Sequence, residues 1–210
     1  MTRCHNFKLR HKMSFFLNIF VKELFFMRQK TCHSGGAEGA DLYFEQMALI
    51  YHCAVVHYSY KTPHHESDFK YELTFEEYQE GLQQVEIVAE QLKRFRYKPY
   101  SKYLARNFFQ IKNATQVFAI ACLEKDAMGV WRQVQGGTGW AVQMGINHCR
   151  EIFVFDQKMA QWYSWDYTTH RFVMCTSPKI TALDFAGIGT RKLNMFGKQA
   201  IEQLFKNSLE

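Results

Sequence analysis

The sequence predicts an α/β fold: a mostly parallel sheet of about five strands with helices on both faces, plus a small β-hairpin insertion. Three observations carry this. Short β-branched or aromatic runs alternate with stretches of helical periodicity along the chain. The runs at 116–121 (QVFAIA) and 151–155 (EIFVF) are apolar on nearly every position, as strands buried on both faces are. Glycine turns sit at 34–39, 136–139 and 187–189, each at an expected strand end, and in such a sheet all three lie at one carboxyl edge.

Taken in order, residues 29–33 read as a strand running into HSGGAEGAD. Leu42, Phe44, Met47, Ala48 and Tyr51 then recur at helical spacing. A buried strand is expected at 53–57 (CAVVH), and a polar, aromatic loop at 58–72. Leu73, Tyr78, Leu82, Val85, Val88 and Leu92 mark one face of a helix over 73–96, whose basic end suits a helix C-terminus. Pro99 opens another helix, ending near Asn113 and carrying Arg106 and Asn107. After the strand at 116–121 comes a charged loop, 123–135, and then a helix N-capped by Thr138. The strand at 151–155 is followed by a hairpin (161–166 and 170–175), a strand at 184–188 and a closing helix, 197–205.

The 210 residues are enough for one domain with a sizeable core, expected over 28–210. At 47% apolar and 16% aromatic the chain is of the folded class, and no apolar run reaches the roughly 18 residues of a membrane span. The net charge of +6 is local: residues 1–30 hold seven basic side chains against Glu23, leaving 19 of each sign over 31–210. The domain is neutral overall, so net charge gives no ground for nucleic-acid binding. Six scattered cysteines without a CxxC pair are expected as free thiols, which favours a reducing, cytoplasmic compartment. Residues 1–27 are basic and then apolar. A signal peptide lacks a small-residue cleavage site, a mitochondrial-type presequence is an alternative, and an appended amphipathic segment without catalytic role is preferred.

A strand that enters a glycine turn and opens a helix offers backbone N–H groups to an anion. His57, His64 and His65 lack a carboxylate or thiol at helical spacing, so no metal is expected. Two readings of the glycine turns stand open: strand–helix connections, or walls around a phosphate-bearing ligand.

The stretches HSGGAEGAD, RNFFQIKNATQVFAIA, QGGTGWAVQMGI and FAGIGTRKLNMFGKQAI resemble the SLOG superfamily. These Rossmann-like proteins include the DNA-processing protein of natural transformation, the YpsA/YspA proteins and the lonely-guy hydrolases. The GIGTR strand comes last here, so the chain is similar to a circularly permuted, YpsA-related branch over roughly residues 29–206. The resemblance implies that strand 184–188 lies between 29–33 and 116–121, with 53–57 and 151–155 outside them. It further implies a homodimer, no membrane and a small nucleotide-derived ligand, including an ADP-ribose or NAD-like molecule.

By the same resemblance Ser34, Gly35, Gly36, Ala37 and Gly39, with His33 before them, would wrap a phosphate. Gly136, Gly137, Thr138 and Gly139 would form a second edge, and Gly187, Gly189, Thr190 and Arg191 a third. Arg106 and Asn107 match an RN motif, with Arg106 either binding ligand or bracing the site. Where the lonely-guy hydrolases carry a glutamate, this chain has Gln143, and an amide cannot act as a carboxylate acid/base. The leading expectation is therefore ligand binding of sensor or carrier type. A nucleotide-processing hydrolase or transferase is the alternative, with Asp41, Glu38, His33 and His57 as candidate catalytic groups. Asp41 is read first as a helix N-terminal residue or ribose acceptor. Weak single-stranded nucleic-acid binding comes third, resting on basic and aromatic residues at 93–103.

Overall fold

The computed structural model describes residues 29–62 and 65–210, so the expected N-terminal segment 1–27 and His64 lie outside the described residues. Among the described residues ten strands and five α-helices follow one another. They are β1 (Thr31–Ser34), α1 (Ala40–Ile50), β2 (Ala54–Ser59), β3 (Lys70–Glu72), α2 (Phe75–Leu92) and α3 (Ser101–Lys112). Then come β4 (Gln116–Ala121), β5 (Leu123–Lys125), β6 (Trp131–Val134), α4 (Thr138–Asn147) and β7 (Glu151–Asp156). The chain continues through β8 (Gln161–Asp166), β9 (Arg171–Met174), β10 (Asp184–Gly189) and α5 (Met195–Leu209).

The main sheet has eight strands in the order β3-β2-β1-β10-β4-β7-β8-β9. β10 pairs in parallel with β1 on one side and β4 on the other, the arrangement expected of strand 184–188. The sheet is mostly parallel, as expected, but the expected count of about five strands is too low and two antiparallel pairings make the sheet mixed. Two edges account for the difference. Lys70–Glu72 adds in parallel to β2, inside the stretch read as a loop; three exposed residues carry no hydrophobic pattern to announce a strand. The expected hairpin is present, but β8 pairs antiparallel with β7 and so extends the main sheet instead of standing apart from it. Trp162, Tyr163 and Phe172 are buried by that addition, which also covers the free edge of β7. A second, two-stranded antiparallel sheet, β5–β6, occupies the stretch read as the loop 123–135.

Period-two alternation splits the core into two layers. Val117, Ala119, Ala121, Ala186 and Ile188 face α2, α3 and α4. Phe118, Ile120, Phe185 and Cys32 face α1 and α5. On the second face Phe44 of α1 lies against Gly187, where a Cβ would sit 2.5 Å from the Phe44 ring. Phe44 also meets Phe205 of α5, ring centroids 6.3 Å apart. Among these helices α2 has a capping box: Thr74 Oγ1 accepts from Glu77 N–H and the Glu77 carboxylate from Thr74 N–H. It ends at Lys93 in the left-handed region, φ 56°, three residues before the end the basic run implied.

No described helix is long and apolar enough to cross a membrane. Cys32, Cys53, Cys122, Cys149 and Cys175 are free thiols.

Phe44→Ala is expected to cost about 3–5 kcal/mol, since the residue is fully buried and the layer over Gly187 cannot close around the gap. Urea unfolding should show a lower midpoint with an unchanged m-value; a loss below about 1 kcal/mol would show that α1 repacks.

Candidate functional site

In an open α/β sheet the strand order reverses at a crevice beyond the carboxyl ends of the strands. Here the reversal falls at β1, β10 and β4, and a cleft of about 1290 Å³ lies there. Its floor is made by Ala37 and Asp41 after β1, Ile188 to Lys192 at the end of β10, and Ala121 and Cys122 at the end of β4. One wall is α3, with Tyr103, Arg106, Asn107 and Gln110; another is the turn Gln135-Gly136-Gly137 leading into α4. Six basic residues line it (Lys93, Arg94, Arg96, Arg106, Arg191 and Lys192) against one acid, Asp41.

The Asp41 side chain is buried and joins two turns. Its Oδ1 accepts from Gly189 N–H at 3.1 Å and its Oδ2 from Ala37 N–H at 3.4 Å. Burial pushes its carboxyl up to about 6, against the opposing pull of Arg106, the Ala37 and Gly189 amides and Arg191. Arg106 is buried as well. Its Nη1 donates to Gly35 O and, at 3.4 Å, to Tyr58 O, while Nε has no partner. Tyr103 lies beside both arginines, with the Arg106 and Arg191 guanidinium carbons 5.6 and 5.8 Å from its ring centroid.

The three glycine turns have different local roles. Gly39, φ 95°, starts α1 beneath the 190–191 backbone: a Cβ there would meet Thr190 O and Arg191 O at 2.5 Å. Ala40 N–H donates to Thr190 O at 3.0 Å, so this helix end is already engaged. A Cβ on Gly189 would press on Ala40 Cβ and Ile120 O at 2.6 Å, and one on Gly139 on Val134 O at 2.0 Å. These positions are close backbone contacts. The turn at Gly136 and Gly137 is open instead, with nothing within 4 Å of either Cβ position, and no side chain caps the N-terminus of α4. Gly137 takes the cap position expected of Thr138, which becomes the first helical residue. Arg94 fixes the turn by donating to Gly136 O at 3.2 Å and Val134 O at 3.1 Å, with Glu124 paired at 2.8 Å. Asn107 Nδ2 reaches Gly137 O at 3.4 Å.

Of the residues singled out in the sequence, Ala37, Asp41, Arg106, Asn107, Gly136, Gly137, Thr138, Gly189, Thr190 and Arg191 line the cleft together. Among the others, Gly39, Gly139 and Gly187 pack against backbone or Phe44. Glu38 is exposed and off the cleft wall. His33 turns away, with Nδ1 3.0 Å from Tyr58 Oη and Nε2 3.1 Å from Asp184 Oδ1. Gln143 is off the cleft too, donating to Asn147 Oδ1 at 3.1 Å along α4. A glutamate there would thus not line the cleft on this backbone.

Ser34, Gly35, Gly36 and His57 lie behind the first turn, in a buried polar cluster. His57 Nε2 is 3.1 Å from Glu45 Oε2 without an aligned hydrogen bond. His65 approaches His57 edge-on, ring centroids 6.0 Å apart. Burial and the neighbouring His65 and Arg106 push the His57 imidazole down to about 3, which keeps it neutral. Among the described residues no group of three or more His, Cys, Asp or Glu side chains is placed to hold a metal ion.

The sequence reading missed Lys93, Phe95, Arg96, Tyr97, Tyr100, Tyr103, Trp140 and Lys192 as lining residues. The available signal was the interleaving of basic and aromatic residues over 93–103. In the sequence reading that interleaving supports only single-stranded nucleic-acid binding, with its first part assigned to a helix end.

Burial raises the Asp41 carboxyl from 3.8 to about 6, so the folded state holds that proton more tightly than the unfolded chain. The resulting stabilisation is full below about pH 4 and lost as pH rises through about 6. The stability of the protein relative to its Asp41→Asn variant should therefore fall by about 2 kcal/mol between pH 4 and 7. Paired urea titrations across that range check it, and a pH-independent difference would show an unshifted carboxyl.

Comparison with protein-family models, with curated proteins and with solved structures finds no match.

Proposed function

We propose that the cleft binds a nucleotide or nucleotide-derived ligand through its phosphates, and that the protein acts as a sensor or carrier of that ligand. The observation that carries the reading is convergence. Arg106, Arg191, the open Gly136–Gly137 turn and the uncapped N-terminus of α4 meet in one cleft where Asp41 is the only acid among the described lining residues. Guanidinium groups and a free helix N-terminus are the donors that phosphate oxygens take. Tyr103 and Tyr97, the latter backed by the buried Trp140, supply ring faces for a base. The resemblance to the SLOG superfamily supports the same class of ligand, ADP-ribose and NAD included.

Thermal unfolding with millimolar AMP, ADP-ribose or NAD is the direct test. A ligand at about 100 times its Kd stabilises by about 2.7 kcal/mol, and no shift with any nucleoside phosphate would overturn the reading. Arg191→Ala is expected to weaken the bound ligand about ten- to hundredfold and to leave the unliganded melting temperature unchanged, because the side chain is exposed. Arg191→Lys should recover part of the affinity, since it keeps the charge and loses the planar fork. Calorimetric titration of the three proteins reads all of this.

A second reading, hydrolysis of a glycosidic or phosphate bond, is favoured by one observation: Asp41 lies in the cleft with its carboxyl raised to about 6, in the range of a general acid or base. Both its oxygens accept backbone amides, which ranks this reading second. Mass spectrometry of nucleotide mixtures should then detect released base or phosphate, and Asp41→Asn should abolish the release. Product formed equally by both proteins would remove Asp41 from the chemistry.

A further inference from the structure

The segment joining α2 to α3 forms the outer wall of the cleft and has features that one nucleotide does not use. Arg94 anchors it to β6 and the Gly136 turn, so the wall is fixed. Tyr97 rests on Trp140, ring centroids 5.7 Å apart. Phe95 and Tyr100, in contrast, line the cleft while 57% and 62% exposed. Two aromatic side chains left facing a cavity on an anchored backbone offer stacking surfaces. From this stretch Lys93, Arg94, Arg96 and Arg106 line the cleft, with Arg94 paired to Glu124, so the remaining positive charge favours an occupant that is anionic as well as aromatic. The cleft, at about 1290 Å³, also exceeds the roughly 300–1,000 Å³ of pockets for a single drug-sized ligand.

We propose that Phe95 and Tyr100 take a second nucleobase, so that the ligand is of the dinucleotide class, two nucleosides joined through a phosphate bridge. The proposal rests on the cleft being a nucleotide site. Arg106 and Arg191 hold the bridge at the inner end, the first base lies by Tyr97 and Trp140, and the second reaches the outer wall. A nucleic-acid strand fits less well. Its affinity grows with the number of phosphates neutralised along a track, and over 31–210 the chain is neutral, with six basic residues against one acid among the described residues that line this cleft.

Calorimetric titration of the full chain compares AMP, ADP, GMP and GDP with diadenosine and diguanosine diphosphates and a hexadeoxyadenylate. ADP and the diadenosine compound have the same number of phosphates, and the latter has less charge, so a gain on it reports the second base. We expect at least one dinucleoside diphosphate to bind about ten- to hundredfold more tightly than its mononucleotide diphosphate. Phe95→Ala/Tyr100→Ala should abolish that advantage and leave ADP or GDP affinity unchanged, which also shows that the variant is folded. Equal affinity for mono- and dinucleotides, or an advantage that survives the double variant, overturns the second-base site and leaves the nucleotide cleft standing. Tighter binding of the hexanucleotide overturns it in favour of a strand. Absence of binding by every probe overturns the nucleotide cleft itself, and this proposal with it.

Discussion

The cleft depends on one buried carboxylate. Asp41 ties the turn after β1 to the turn after β10 through two backbone amides, and Ala40 N–H repeats the link to Thr190 O. A side chain of aspartate length, one residue into α1, reaches both amides without leaving the helix. Its charge is balanced by Arg106, itself held by Gly35 O and Tyr58 O. Removing either member would leave the other's charge uncompensated in a buried setting, which costs more than the pair contributes. The arrangement also uses up amides that a phosphate would otherwise meet in the first glycine turn. The guanidinium groups and the open second turn are what remain facing the cleft.

Glycine was the least decodable residue of the site. Gly39, Gly187 and Gly189 admit a neighbouring backbone or ring, whereas Gly136 and Gly137 face open space. Both uses write the same letter in the sequence. What separates them is the partner across the gap, contributed by residues as distant as Arg191 for Gly39 and Phe44 for Gly187.

The buried strands and helices were legible because burial on both faces leaves a plain record: β4 is 116–121 as expected. The central place of β10 was expected from the resemblance alone and not from its own pattern. β3, β5 and β6 were not legible, because short or exposed strands at an edge need no apolar pattern. The wall at 93–103 was hidden for a related reason. A basic run past the last hydrophobic residue of α2 suits a helix C-terminus and a cleft wall equally well, and the left-handed turn at Lys93 decides between them.

The place of β10 bears on how the chain reaches this structure. Thr31 pairs with Asp184, and Phe185 with Gln116, so the central strand joins partners made long before it. A chain emerging from its N-terminus holds β2 and β1 on one side, and β4 and β7 on the other, with α3 packed across them but no strand between them. Each half presents an unpaired parallel edge beside exposed apolar residues such as Phe118 and Cys32, the condition under which incomplete sheets associate with one another. Closure waits for the last strand. Contacts of such sequence separation make folding slow, and the interval before β10 arrives is when these edges are open longest.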